Sequence, residues 1–195
     1  MNGDEVVAVF RKAGALIEGH FVYASGRHGR QFLQAARVLQ YPHYTERLCQ
    51  AMAERFREEG ISLVVGPATG GIVLAYETAR HLDCRAAFTE KDGSGDMVLK
   101  RGFRIEPGAR VLVVEDIVTT GGSVLKSIAH LQTRDAEVVG VSVLIDRSAG
   151  EAAFDCRFEP LARLDMESWE PDTCALCAQG IAVIDPDDLV YGKDA

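Results

Sequence analysis

Residues 111–123 read Val-Leu-Val-Val-Glu-Asp-Ile-Val-Thr-Thr-Gly-Gly-Ser. Their types, in that order, describe a site for a phosphorylated and hydroxylated ligand. Val111–Val114 has the composition of a buried strand, and two adjacent carboxylates, Glu115 and Asp116, stand at its carboxyl end. Ile117 and Val118 then lead into Thr119-Thr120-Gly121-Gly122-Ser123, where a helix is expected to begin. Such a turn offers successive backbone N–H groups, three hydroxyls and a helix N-terminus, which together cradle a phosphate monoester. The glycines let the backbone approach closely and take positive φ. No Gly-Lys-Ser/Thr follows, so the segment is not a Walker loop. A phosphate cradle directly after a carboxylate pair fits a ligand with phosphate at one end and hydroxyls or a metal nearby, as in a ribose 5-phosphate. The acidic pair alone would read as a solvated strand end; the complete arrangement carries the functional reading.

Other candidate groups are weaker. The Pro67-Ala-Thr-Gly-Gly71 turn follows an apolar run and could face a ligand, but Gly-Gly connections are common. Arg147 follows the apolar run Val138–Ile145, and its planar fork suits a carboxylate; a pair with Asp146 or a solvated strand end is the alternative. Of the five histidines, none is in ligand spacing with another or with a cysteine pair, so no metal is assigned to them. Cys174 and Cys177 have zinc-ribbon spacing but lack a second pair, and Cys156 is distant in sequence. A packed or solvent-facing thiol pair is expected there rather than zinc. Trp169 is expected to serve packing.

The elements that must position these groups follow from pattern. The chain has 195 residues, 47% apolar and 26% charged, a composition suited to one soluble domain. No repeat or linker divides it, so residues 1–195 are read as a single domain. Ile61–Gly66, Val111–Val114 and Val138–Ile145 are strand-length apolar runs, and Arg85–Thr89 is a further candidate strand. Ile72–Leu82 has helical composition, and Val124, Ile128 and Leu131 share one face of a helix after Gly122. Tyr44, Leu48, Met52 and Phe56 recur every four residues, the mark of an amphipathic helix. Short apolar runs alternating with helices indicate an α/β fold with a mainly parallel sheet covered on both sides. Residues of about 1–40 and 150–195 do not fit the alternation and are expected to form a cap. The loops after Gly66, Thr89, Glu115 and Ile145 should line the site, beyond the carboxyl ends of the strands.

Charge and cysteine usage bound the partners. A net charge of −8 disfavours nucleic acid, which usually meets a basic surface. No signal peptide or membrane-length apolar run is seen, and five cysteines, an odd number and mostly far apart, read as reduced thiols, so a cytoplasmic location is expected.

Taken whole, VLVVEDIVTTGGS resembles the phosphoribosyl-pyrophosphate signature of the type I phosphoribosyltransferases, along all of its length. The resemblance implies that fold, with helices flanking a mainly parallel sheet and a small cap from the terminal segments. It implies that Glu115 and Asp116 face the ribose hydroxyls and that Thr119, Thr120, Gly121, Gly122 and Ser123 hold the 5-phosphate. Ile117 and Val118 belong to the same binding segment. The Pro67–Gly71 turn resembles the family's pyrophosphate loop.

Three features resemble the family's orotate branch: the segment Glu18–Gln34, Asp146-Arg147, and Cys174-Ala-Leu-Cys177-Ala-Gln-Gly180, which is seen in a short-loop subgroup. Arg147 is then expected on the orotate carboxylate, and Phe32 either on the pyrimidine ring or in an apolar patch. The implied substrates are phosphoribosyl pyrophosphate and orotate, with Mg²⁺ bridging diphosphate and ribose oxygens. Lys91 would neutralise the leaving pyrophosphate, while Glu115 and Asp116 orient the ribose. A homodimer is implied, with the Lys91 loop reaching the partner's site, and neither nucleic acid nor membrane as partner.

Some residues depart from the branch. Ala24 stands where many members have lysine, no lysine lies near Gly70, and the loop Thr89–Arg101 is short. Lys100, Arg101 and Arg27 are the candidate substitutes. A purine-type phosphoribosyltransferase and a non-catalytic sensor of phosphoribosyl pyrophosphate are the competing readings.

Overall fold

The computed structural model describes residues 1–23 and 25–186, so Ala24 lies outside the described residues. Asn2 opens α1 (Gly3–Lys12) with a reciprocal cap: its Oδ1 accepts the Glu5 N–H at 2.9 Å, and Glu5 Oε2 accepts the Asn2 N–H at 2.8 Å. Two first-turn donors without helical partners are thereby satisfied. The hairpin of β1 (Leu16–Val22) and β2 (His28–Leu33) follows, then α2 (Ala36–Leu39). Pro42 starts α3 (Pro42–Glu54), at a position where its missing N–H is not needed. The four-residue stripe is as expected: Leu48, Met52 and the following Phe56 are fully buried, and Tyr44 packs against the same cluster.

The strand–helix alternation then runs β3 (Leu63–Pro67), α4 (Gly70–Leu82), β4 (Arg85–Lys91), β5 (Met97–Leu99), β6 (Arg110–Val118), α5 (Gly122–Gln132), β7 (Glu137–Asp146) and β8 (Arg157–Arg163). Short β9 (Ser168–Trp169) and α6 (Ala175–Ala178) complete the described elements. Six strands form one sheet in the order β5-β4-β3-β6-β7-β8, parallel except for the edge strand β5. Alternate residues of the central strands feed two apolar layers. Leu112, Val114 and Leu144 join α1, α3 and α4 on one face, while Val111, Val113, Val141 and Val143 join α5 on the other. That is the α/β architecture with a sheet covered on both sides.

The terminal segments divide between two sheets. β1, β2 and β9 make a separate three-stranded sheet. β8, however, pairs in parallel with β7 and extends the main sheet, and α1 approaches it where Gly3 meets Ala162. The expected cap is therefore smaller than residues 1–40 and 150–195. The missed strand β8, Arg-Phe-Glu-Pro-Leu-Ala-Arg, has a charged residue at either end and a proline inside. A proline is tolerated there because β8 is an edge strand. No helix among the described residues is long and apolar enough to cross a membrane.

Candidate active site

Glu115 and Asp116 were expected just past the end of a strand, but β6 continues through them to Val118. The physical reason is one-sided support. β7 pairs with β6 as far as Val118↔Asp146, whereas β3 leaves its ladder at Val65↔Val113. The second half of β6 thus projects beyond its neighbour β3. Two of its N–H groups are satisfied locally: Glu115 Oε1 accepts the Asp116 N–H at 3.0 Å, and Asp116 Oδ1 accepts the Ile117 N–H at 2.6 Å. Asp116 also lies against the turn that follows β3, where a Cβ on Gly70 would overlap its Oδ2. Only glycine leaves the carboxylate that room.

Burial raises the pKa of both carboxyls. For Glu115 the neighbouring Asp116 charge adds to the effect, while the Ile117 N–H partly offsets it for Asp116. Two adjacent carboxyls in a low-dielectric cleft do not readily both ionise. A cation or a polyhydroxylated ligand at this point would draw the protons off.

Next to the pair opens a cavity of about 330 Å³, lined by Lys91, Gly95, Met97, Glu115, and residues Ile117 through Val124 together with Lys126. The Thr119–Ser123 turn forms one wall. Gly121 has φ +76°, which favours glycine, and stands as the N-cap of α5 with no side-chain cap on that helix. Its first N–H groups, which have no helical acceptor, and the exposed Thr119, Thr120 and Ser123 therefore border the cavity together. A tetrahedral oxyanion there would complete the helix end.

Lys91, the last residue of β4, lines the cavity of its own chain. The other expected cations are engaged elsewhere. Lys100 Nζ donates to the Lys91 carbonyl at 2.7 Å, Arg101 pairs with Glu90 at 2.8 Å, and Arg27 is held by Ser168 and Glu170. The cation that sequence reading missed is Lys126, which lines the cavity from the first turns of α5 and donates to the Gly95 carbonyl at 2.7 Å. Its signal was present: three residues beyond Ser123, it shares a helix face with the phosphate turn.

Arg147 follows β7, and its N–H donates to the Val118 carbonyl at 2.8 Å. It makes no pair with Asp146, whose carboxylate accepts from Ser148 N–H and Oγ and faces Arg163 at 3.3 Å. The guanidinium instead lies 5.0 Å over the ring of Tyr23, at the end of β1, a cation–π contact. Arg147 Nε is buried with no hydrogen-bond partner among the described residues. Tyr23 is fixed in turn by donating to the Gln31 carbonyl at 2.6 Å. Sequence held no sign of this pairing, because it joins the small sheet to the large one. Phe32 packs on Phe21, centroids 5.5 Å apart, as the apolar-patch alternative has it. The fold brings His20 and His28 against Cys174 and Cys177, a proximity that their spacing in sequence does not show.

Comparison with known proteins places this geometry. The phosphoribosyl transferase domain family matches residues 35–157. The chain is 47% identical over 186 residues to an orotate phosphoribosyltransferase of Desulforamulus reducens, covering 95% of this chain and 97% of that protein. It is 43% identical to one of Thermus thermophilus, covering 91% and 97%. Among solved structures, orotate phosphoribosyltransferase from Aeropyrum pernix superposes with a TM-score of 0.67 at 28% identity, over 81% of this chain and 93% of that one. An adenine phosphoribosyltransferase from Rhodothermus marinus shares the fold at a TM-score of 0.64 and 23% identity, over 83% and 99%.

Proposed function

Because the chain belongs to the phosphoribosyl transferase domain family, among its orotate phosphoribosyltransferases, we propose that it transfers the ribose 5-phosphate of phosphoribosyl pyrophosphate to orotate through the cavity beside Glu115. The bond from the anomeric carbon to pyrophosphate breaks, a bond to N1 of orotate forms, and orotidine 5-monophosphate and pyrophosphate leave. The observation that carries this reading is the junction on β6, where a half-buried carboxylate pair runs directly into an uncapped helix N-terminus over one cavity.

Each group has work that its surroundings suit. Backbone N–H groups and hydroxyls of Thr119 to Ser123 hold the 5-phosphate, with Ile117 and Val118 setting the turn's distance from the carboxylates. Glu115 and Asp116 accept hydrogen bonds from the ribose hydroxyls and offset positive charge that develops on the ribose as pyrophosphate departs. Lys91 and Lys126 border the cavity where the diphosphate would lie, and neutralise it on leaving. Arg147, over the Tyr23 ring and not paired with Asp146, offers a parallel pair of N–H donors to the orotate carboxylate. Positioning and preorganised charge supply the acceleration, without a covalent nucleophile.

The donor set fits Mg²⁺: Glu115 and Asp116 offer only hard oxygen ligands, and a divalent charge would reverse the protonation that burial favours. Bound with substrate, the ion would neutralise diphosphate charge. We further propose that the whole chain acts as one cytoplasmic phosphoribosyltransferase domain, the small sheet serving as its cap, in a two-fold homodimer.

The test is incubation of the protein with Mg²⁺, phosphoribosyl pyrophosphate and, separately, orotate, adenine and hypoxanthine. Orotate alone should be consumed, with one pyrophosphate released per orotidine 5-monophosphate formed. Consumption of a purine instead would establish the purine-type reading. Binding of phosphoribosyl pyrophosphate with turnover of no base would establish the sensor.

A further inference from the structure

Outside the cavity, one cluster has a composition and geometry that the transferase reaction does not use. His20 on β1, His28 on β2, and Cys174 and Cys177 at the two ends of the first turn of α6 place one ligand atom each within 4.8 Å of one another. His20 Nε2 lies 2.9 Å from His28 Nδ1, 3.6 Å from Cys174 Sγ and 3.7 Å from Cys177 Sγ. Cys177 Sγ lies 3.3 Å from His28 Nδ1. Around a tetrahedral Zn²⁺, with bonds of about 2.3 Å to sulfur and about 2.0–2.1 Å to nitrogen, neighbouring ligands stand about 3.3–3.8 Å apart. The contacts cluster about that spacing, and a shift of a few tenths of an ångström brings the histidine pair into it.

A second observation points the same way. His20 Nδ1 lies 2.7 Å from the Ile181 carbonyl. A carbonyl only accepts, so Nδ1 is the donor there, and Nε2 is turned toward His28 and the two thiols. Metal-bound histidines are held in this manner, the outer N–H on a backbone carbonyl fixing tautomer and ring plane. His20 is buried, as is Cys174, while Cys177 is exposed and gives a route of entry.

We propose that His20, His28, Cys174 and Cys177 form a structural zinc site that clamps the carboxyl-terminal segment onto the β1–β2 hairpin. Two thiolates and two imidazoles are the soft and borderline ligands that zinc selects over Mg²⁺. Four protein ligands leave no open position, so the ion is structural rather than catalytic. Binding releases the two thiol protons to solvent. The clamp joins segments far apart in sequence at a corner otherwise tied by the His20–Ile181 contact and by the Ile184 N–H donating to the His20 carbonyl at 2.7 Å. The turn of that hairpin starts at Tyr23, whose ring lies against Arg147.

The experiment uses the full chain purified without a histidine tag or chelator. Its metal content is measured by plasma mass spectrometry, alongside Cys177→Ser, His28→Gln, Cys156→Ser and Asp116→Asn. The expected result is about one zinc per chain in the parent protein, in Cys156→Ser and in Asp116→Asn, and little zinc in the other two. Metal-stripped protein titrated with Co²⁺ should develop the intense visible bands of a tetrahedral site and a near-ultraviolet thiolate transition. Cys177→Ser should weaken that transition. Since Cys177 is exposed, this variant should fold, as thermal unfolding will report. An octahedral cobalt spectrum, a disulfide in place of bound metal, or zinc lost from Asp116→Asn but kept in Cys177→Ser would each overturn the site.

Discussion

Glu115 sits where its chemistry is useful and its charge is costly. Burial and the Asp116 charge raise its pKa above the ordinary carboxylate range. A group whose folded pKa is raised contributes stability below the unfolded value, near 4.3 for glutamate, and loses it as pH rises through the folded value. Wild-type protein in metal-free buffer should therefore lose unfolding temperature from about pH 5 to about pH 9, and Glu115→Gln should lose less, becoming the more stable form at the alkaline end. Parallel profiles in calorimetry would show that the pair is not strained by its own charge. Arg147 gives the complementary case. Its neighbour Asp146 is committed to Ser148 and Arg163, which leaves the guanidinium to a ligand. Arg147→Ala should raise the Michaelis constant for orotate by on the order of ten- to a hundredfold, the worth of a charged hydrogen bond of about 1.5–3 kcal/mol. The constant for phosphoribosyl pyrophosphate should change little. Equal effects in steady-state kinetics would assign Arg147 to the wrong ligand.

At the scale of elements, the site depends on a mismatch between strands. β3 ends its pairing at Val65 while β7 accompanies β6 to Val118, so the second half of β6 borders a cleft without losing its place in the sheet. α5 then begins at Gly122 and turns its uncapped N-terminus to the same cleft. Lys126 rides on that helix and ties it to the loop between β4 and β5 through Gly95 and Asp96. If Lys126 serves the diphosphate, Lys126→Ala should raise the Michaelis constant for phosphoribosyl pyrophosphate about fivefold, leaving that for orotate within about twofold. A half-exposed ion contact is worth no more than about 1 kcal/mol. An unchanged constant would leave Lys126 as a tether for the loop alone.

For the whole molecule, the question is what holds the small sheet on the large one. Within the small sheet, Arg27 bonds to Ser168 and Glu170 and β9 pairs with β2, while Tyr23 meets Arg147 across the two sheets. The proposed zinc clamp adds a further tie at His20 and His28. A zinc chelator should then lower the unfolding temperature by about 5–10 °C, as losing a few kcal/mol does in a chain of this length. It should also raise the Michaelis constant for orotate more than that for phosphoribosyl pyrophosphate, because Tyr23 belongs to the clamped hairpin. Differential scanning calorimetry with and without chelator, repeated on Cys177→Ser, checks this. A drop of the same size in the variant would place the chelated ion elsewhere.

Local chemistry alone was enough for the central alternation and for the site's core. The apolar runs of β3, β6 and β7, the stripe of α3, and the Glu-Asp-Ile-Val-Thr-Thr-Gly-Gly-Ser segment all lie within a few residues of the groups they position. Their periodicity and turn chemistry therefore show in one stretch of sequence. Long-range groups were different. Whether Arg147 would meet Asp146 or stand free depended on Arg163 and Tyr23, and the fates of Arg27, Lys100 and Arg101 depended on Ser168, Glu170, Lys91 and Glu90. The edge strand β8 carries too few apolar residues to announce itself, and it forms because β7 offers it a ladder. His20 and His28 had no cysteine partner in sequence, yet they meet Cys174 and Cys177 across the small sheet. Tertiary structure decided these cases because each side chain's partner comes from a segment that only the packing of one element on another brings within reach.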